Sequence, residues 1–212
     1  MGQWNGIDLD NLVLIGDRLT LRPWRPGDAS DVEAIMADPA MHEFLPLPDP
    51  YTRADADQFV TELGHAGRRS GTGIGNAVVE TATGRLVGAA ELRLPKPRET
   101  SGEIGYWVAV AAQGNGYATE ATRTQAAWAF EHGVHRVEIR CAARNVGSAK
   151  TALAAGFRFE GLMGGREFTP RGPDDGLLFG RLASDAGEAL PVGPDGTIRA
   201  EARIALERAA GS

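Results

Sequence analysis

The chain has 212 residues, 42% hydrophobic and 24% charged, a balance that suits a single folded domain with a sizeable core. Acidic residues (28) outnumber Lys and Arg (22) for a net charge of −6, which argues against a nucleic-acid surface and leaves room for a cationic partner such as an amine. The lone Cys141 excludes an internal disulfide and a cysteine-rich metal site, and no apolar run approaches membrane-span length.

The opening MGQWNGIDLDNL has no charged-then-apolar leader pattern, so a cytoplasmic location is the expectation, with residues 1–16 a loose N-terminal extension. RLTLRPW then alternates as a strand, Leu19 and Leu21 on one face, Thr20 and Arg22 on the other. Asp28 is placed to cap a helix running to about Ala37, with Val32, Ile35 and Met36 as its apolar stripe. A long proline-rich loop, DPAMHEFLPLPDPYT, leads to a second helix after Thr52, through ADADQFVTELGHAG. GNAVVE and RLVGAAELRL flank the turn TATGR as a hairpin. SGEIGYWVAV alternates again: Ile104, Tyr106, Val108 and Val110 share one face, and Glu103, Gly105, Trp107 and Ala109 the other. The turn QGNG opens a helix that stops at Gly133. RVEIRCA as a strand, SAKTALAAG as a short helix, and FRFEGLM and GLLFGRLAS as strands complete the series.

The order β-α-α-β-β-β-α-β-α-β-β, mostly antiparallel with one parallel crossover, defines an α+β domain over residues 17–184. In the tail, 185–212, Ile198, Ala202, Ala205, Leu206 and Ala209 recur at helical spacing, as in a short amphipathic helix packed on the domain or on a second copy in a homodimer.

The junction QGNGYATEAT, Gln113 to Thr122, carries the chemistry. A strand turns through two glycines into a helix whose first N–H groups lack intrahelical acceptors and sit at the positive end of the dipole. Such a junction favours a phosphate or pyrophosphate without a lysine. A nucleoside-triphosphate loop would need a Gly-Lys-Ser/Thr ending, and a dinucleotide fingerprint a third glycine where Thr119 stands, so both are disfavoured. A tight turn that binds nothing is the remaining alternative.

Two motifs together decide the comparison. Gln113-x-x-Gly116-x-Ala118 resembles the coenzyme A pyrophosphate motif of the GNAT N-acetyltransferase superfamily, and RNVGSAKTALAAGFRFEG is similar to its second signature. GEIGYWV followed by GNGYATEA resembles the ribosomal-protein N-terminal alanine acetyltransferase-like branch, and the likeness spans Asp17 to Ser184. The resemblance implies the GNAT acyl-CoA N-acyltransferase fold, in which the strand ending near Val110 splays from the one at Val137 to Cys141. It implies that the pantetheine arm of acetyl-CoA pairs with the backbone of Trp107, Val108, Ala109 and Val110. Gly114, Asn115, Gly116, Tyr117 and Ala118 would offer N–H groups to the pyrophosphate beside Gln113, and Asn145 and Ser148 would meet the pantetheine arm. No metal is implied.

Acetyl transfer to an amine needs a deprotonated amine, a stabilised oxyanion and a protonated thiolate. Glu103, on the face shared with Trp107, is the candidate base; the other reading is a strand-edge glutamate paired with an arginine such as Arg93. Ser148 is the candidate donor to the thiolate, or else a helix cap. Cys141 reads as a small buried hydrophobe rather than a nucleophile, and His132 as a partner for a helix C-terminus rather than a metal ligand. Trp24 and Phe44 belong to the substrate side or the core, and the segments Asp38–Thr52 and Gly165–Gly176 to the acceptor pocket. The expected acceptor is a primary amine: a peptide N-terminus, a small amine or an amino-sugar. A non-catalytic acyl-CoA-binding module is the alternative from another class; it would keep the loop and Asn145 without needing Glu103 or Ser148.

Overall fold

The computed structural model describes residues 3–95 and 101–185. In chain order the strands and helices are β1 (Gln3–Trp4), β2 (Ile7–Asp8), β3 (Leu14–Ile15), β4 (Leu19–Arg22), α1 (Ala29–Met36), α2 (Arg53–Thr61), α3 (Ala66–Ser70), β5 (Gly73–Glu80), β6 (Leu86–Arg93), β7 (Ser101–Val108), α4 (Tyr117–Glu131), β8 (Arg136–Ala142), α5 (Val146–Ala154), β9 (Arg158–Thr169) and β10 (Gly172–Leu182). An eight-stranded sheet has the order β3-β4-β5-β6-β7-β8-β10-β9, antiparallel throughout except between β7 and β8. The α+β reading holds, including its one parallel crossover, which runs through α4.

Alternation in the strands puts a core on each face of the sheet. Ile74, Leu92, Ile104 and Ile139 join Ala126 and Leu153 of α4 and α5 on one side, while Trp24, Ala77 and Val79 join Val32 and Val60 of α1 and α2 on the other. Each fully buried aliphatic or aromatic side chain here contributes about 1.5–3 kcal/mol relative to exposure. Among the described residues no helix is long and apolar enough to cross a membrane.

The structure departs from the sequence reading in four places. Residues 3–16 are not loose: β1 and β2 pair, Trp4 packs 6.2 Å from Trp128, and Leu9 is fully buried. The Leu9 carbonyl accepts a bond from Arg68, whose buried guanidinium also donates to the Gly75 carbonyl at 2.9 Å and to Asn76. Burial pulls Arg68 down to about 10. Asp28 holds the N-cap position of α1 but its side chain makes no cap bond; the carboxylate takes the Arg22 fork at 2.7 Å on both oxygens and the Arg25 N–H at 2.8 Å.

The second expected helix ends at Thr61, passes through a 3-10 turn at Leu63–His65 and resumes as α3; in that turn Gly64 lies against Trp24, where a Cβ would overlap the indole. Finally, the strands read at FRFEGLM and GLLFGRLAS are longer than the sequence suggests and meet across the stretch 165–176. β9 and β10 run through it as a long hairpin with a register shift at Asp174/Gly176. Gly164, Gly165, Pro170 and Pro173 hide its alternation in the sequence. The tail helix expected at Ile198 to Ala209 lies outside the described residues.

Candidate active site

The site begins where one pairing stops. β7 and β8 pair at Ser101↔Arg136, Gly102↔Val137 and Glu103↔Glu138, and no further. From Ile104 on, β7 keeps its pairing with β6, and β8, paired with β10 along its whole length, no longer meets β7. The opened wedge holds a cavity of about 390 Å³ bounded by Tyr106 and Trp107 of β7, Arg140 and Cys141 of β8, and Asn145 and Ser148 at the start of α5. One edge of β7 therefore presents unpaired backbone groups to an extended ligand.

β7 delivers the chain to the glycine loop. Val110–Ala112 forms a single 3-10 turn, then Gly114 and Gly116 adopt φ of 78° and 76°, a left-handed backbone that side chains resist. Gly116 precedes α4 with no side-chain cap, so the first N–H groups of the helix stay available. A Cβ on Gly114 would meet nothing within 4 Å, so the loop's outer side is open to a ligand. Asn115 shapes the loop from within, its Nδ2 donating to the carbonyls of Ala112 (3.1 Å) and Gln113 (3.2 Å). Gln113 donates from Nε2 to the Val108 carbonyl at 3.3 Å, which occupies one backbone acceptor expected to serve pantetheine. Tyr117 anchors the start of α4 by donating to Glu80, which Arg85 and Thr83 also reach at 3.0 Å. Chiefly through Arg85, and next through Tyr117, the Glu80 carboxyl is pulled down to about 2.

Asn145 caps α5, its Oδ1 accepting the Ser148 N–H at 3.0 Å. That leaves Nδ2 without a hydrogen bond among the described residues, as a donor on a residue that borders the cavity. The Ser148 hydroxyl lies 3.0 Å from the Tyr106 phenol, which also donates to the Ser148 carbonyl at 3.0 Å. Burial pushes the Tyr106 phenol above its ordinary value, so it stays protonated. Burial likewise lifts the Cys141 thiol to about 11, a hydrogen bond from Ser148 opposing it. Cys141 is thus a buried thiol, in keeping with its reading as a small hydrophobe.

Glu103 lies apart from this trio. Its Oε1 accepts from Arg93 Nη2 at 2.7 Å and its Oε2 from Arg140 Nη2, and it does not border the cavity. Arg140 does, with its Nε buried and without a hydrogen-bond partner among the described residues. Two carboxylates border the cavity with no ion pair among the described residues: Glu91 of β6 and Glu167 of β9. Sequence reasoning missed both, and Tyr106 as a hydrogen-bonding group. The antiparallel register Glu91↔Gly105 puts Glu91 on the Trp107 face, so hairpin alternation was a signal for it. Glu167 falls inside the segment Gly165–Gly176 assigned to the acceptor pocket, but nothing local singled it out from its neighbours.

Behind the cavity-lining Phe44, Arg144 donates to Asp174 at 2.7 Å and to Glu43 at 3.3 Å, and stacks 4.7 Å from the Phe44 ring. These contacts tie the segment Asp38–Thr52 to the β9–β10 hairpin. Trp24 is buried and stacked 6.2 Å from Trp107, yet it borders the cavity as Phe44 does, so it serves both core and site. His132 bonds through Nδ1 to the Trp128 carbonyl at 2.7 Å, closing the C-terminus of α4.

A splayed parallel pair, a glycine loop and an unblocked helix start in succession define an acyl-CoA N-acyltransferase fold. The chain matches the acetyltransferase (GNAT) domain over residues 18–158, and it belongs to that family. It is 31% identical over 98 residues to the ribosomal-protein-serine acetyltransferase of Escherichia coli (strain K12), 46% of this chain and 55% of that protein. The chain thus spans about half the length of that curated relative. Among solved structures, Mycobacterium smegmatis RimJ in complex with CoA-disulfide superposes with a TM-score of 0.76 at 23% identity over 95% of each chain. RimL, a ribosomal L7/L12 alpha-N-protein acetyltransferase in complex with coenzyme A, does so at 0.71 and 18%, covering 81% of this chain and 98% of that one.

Proposed function

We propose that the chain moves an acetyl group from acetyl-CoA to a primary amine by direct transfer in a ternary complex, and that the acceptor is the N-terminal amine of a protein. The observation that carries this is the parting of β7 and β8 after Glu103↔Glu138, with the glycine loop at the end of the freed edge. The pantetheine arm fits along that edge beside Asn145, and the pyrophosphate fits against the N–H groups of Gly114 to Ala118. The N-terminal class is favoured because RimL is an alpha-N-protein acetyltransferase and the E. coli relative acts on ribosomal-protein serine.

The roles follow from placement. Ser148, held by Tyr106, donates a hydrogen bond to the departing thiolate. With both Glu103 oxygens engaged by guanidinium groups, Glu103 fixes Arg140 at the cavity wall, and the amine proton goes to Glu91 or Glu167, directly or through water. The test is a panel of peptides, small amines and amino-sugars mixed with acetyl-CoA while free thiol is followed. Acetylation at a peptide α-amine is the expected result. Thiol release with only small amines would displace the protein acceptor, and no release with any amine would sink the activity.

A further inference from the structure

Resting on that reading, we infer that Arg18 is the positioning residue of the pyrophosphate loop: fixed by Glu120, it clamps the Asn115 carbonyl and thereby aims the Gly116 N–H at the ligand. Arg18 immediately precedes β4, far from the loop in sequence. Its backbone N–H donates to Glu120 Oε1 at 2.6 Å and its Nε to Glu120 Oε2 at 2.8 Å. The same guanidinium donates through Nη2 to the Asn115 carbonyl at 3.1 Å and stands 5.1 Å from the Tyr117 ring centre. One planar cation therefore grips the chain on both sides of Gly116. Close approach is built in, because a Cβ on Gly16 would lie 2.9 Å from Glu120 Oε1 and 3.0 Å from Thr124 Oγ1.

The consequence comes from peptide planarity. The Asn115 carbonyl and the Gly116 N–H belong to one trans peptide unit and point in opposite directions. Holding the carbonyl on the Arg18 side turns the N–H to the other side. Two glycines in four residues would otherwise leave that peptide free to rotate, since glycine visits both signs of φ about equally. A loop ordered only on binding loses affinity to its own entropy, whereas a loop ordered beforehand does not. Lysine could not substitute, because a single ammonium lacks the fork that reaches Glu120 and the carbonyl together.

Calorimetric titration with coenzyme A, and with pantetheine, which lacks the pyrophosphate, tests this. Arg18→Ala should weaken coenzyme A about tenfold while pantetheine moves by less than about twofold. Arg18→Lys, which keeps the charge and carries the test if the alanine variant does not fold, should show most of the same loss. Full affinity in Arg18→Lys would mean that Arg18 acts as a point charge, and the clamp would be wrong. Equal weakening of both ligands would mean a general loss of structure and also overturn it. Wild-type protein that ignores coenzyme A would remove the functional reading itself, a result distinct from wild-type binding that survives the substitutions.

Discussion

The Tyr106 phenol and the Ser148 hydroxyl, 3.0 Å apart, bridge β7 to the first turn of α5 on the wall of the wedge between the splayed strands. The contact joins the two elements whose separation makes the cavity. It also lets Ser148 exchange a hydrogen bond with a group that burial keeps protonated.

Replacing Tyr106 by Phe should therefore cost about 1 kcal/mol, the net worth of a partly buried hydrogen bond, and lower the melting temperature by a few degrees. Ser148→Ala should leave coenzyme A affinity nearly unchanged and slow turnover. Because the thiolate would still lack its donor, raising the pH should not restore the rate. A Ser148→Ala enzyme with wild-type turnover would assign the hydroxyl to helix packing alone.

Gly116→Val is expected to weaken coenzyme A while the circular-dichroism spectrum stays native. At φ 76° a β-branched residue costs about 1–2 kcal/mol or more in backbone strain. A Cβ there would lie an ordinary 3.7 Å from Arg18 Nη2, so the penalty is conformational rather than a clash. In the wild type, coenzyme A should raise the melting temperature and ATP or NAD should not. Calorimetry and thermal scans check both statements.

Glu80 gives a pH signature. Its folded carboxyl sits near 2, below the ordinary 4.5, so its contribution is complete above about 4.5 and is lost as pH falls from there towards 2. Thermal scans of wild type and Glu80→Gln should differ at neutral pH and converge in acid. Tyr117→Phe should remove part of the same difference, since the phenol is one of the donors. A gap between wild type and Glu80→Gln that persists unchanged at pH 2 would contradict the assignment.

The alternating strands, the α+β order and the glycine loop were readable because each is a local pattern: period 2 for burial, or glycine where the backbone is left-handed. The alternation in SGEIGYWV put Ile104 and Trp107 on opposite faces, as read; the structure adds that Ile104 joins the α4 core and Trp107 stacks on Trp24. Illegible features depend on long-range geometry. Nothing around Glu103 announces that Arg140, thirty-seven positions on, meets its second oxygen. The packing of Leu9 against Arg68 and the hairpin carrying Glu167 are non-local in the same way.

Cys141 should resist alkylation. A thiol near 11 holds roughly a hundredth of the thiolate of an ordinary one near 9 at neutral pH, and its burial slows reagent further. Iodoacetamide labelling of the native protein should be slow at pH 7 and climb with pH beyond 9. Fast labelling at neutral pH would show that the wedge opens more widely than its cavity suggests.

The carboxylates separate by their pH responses. Glu103 already accepts from Arg93 and Arg140, so Glu103→Gln should cost about 1 kcal/mol of stability and misplace Arg140. Its turnover should fall modestly and stay low at every pH, because no proton-accepting step was removed. A base on the cavity wall behaves otherwise. Without it the attacking amine must lose its proton to solvent, so the rate should drop about 10²–10⁴-fold at neutral pH and recover as the amine deprotonates. Glu167→Gln and Glu91→Gln, assayed by thiol release with whichever amine the panel yields, should show this recovery in one case. The other should change acceptor KM, since a carboxylate on the wall with no ion pair among the described residues attracts an ammonium. Loss with alkaline recovery in Glu103→Gln alone would return the base to β7 and make its two arginine contacts a resting arrangement that opens when the amine enters.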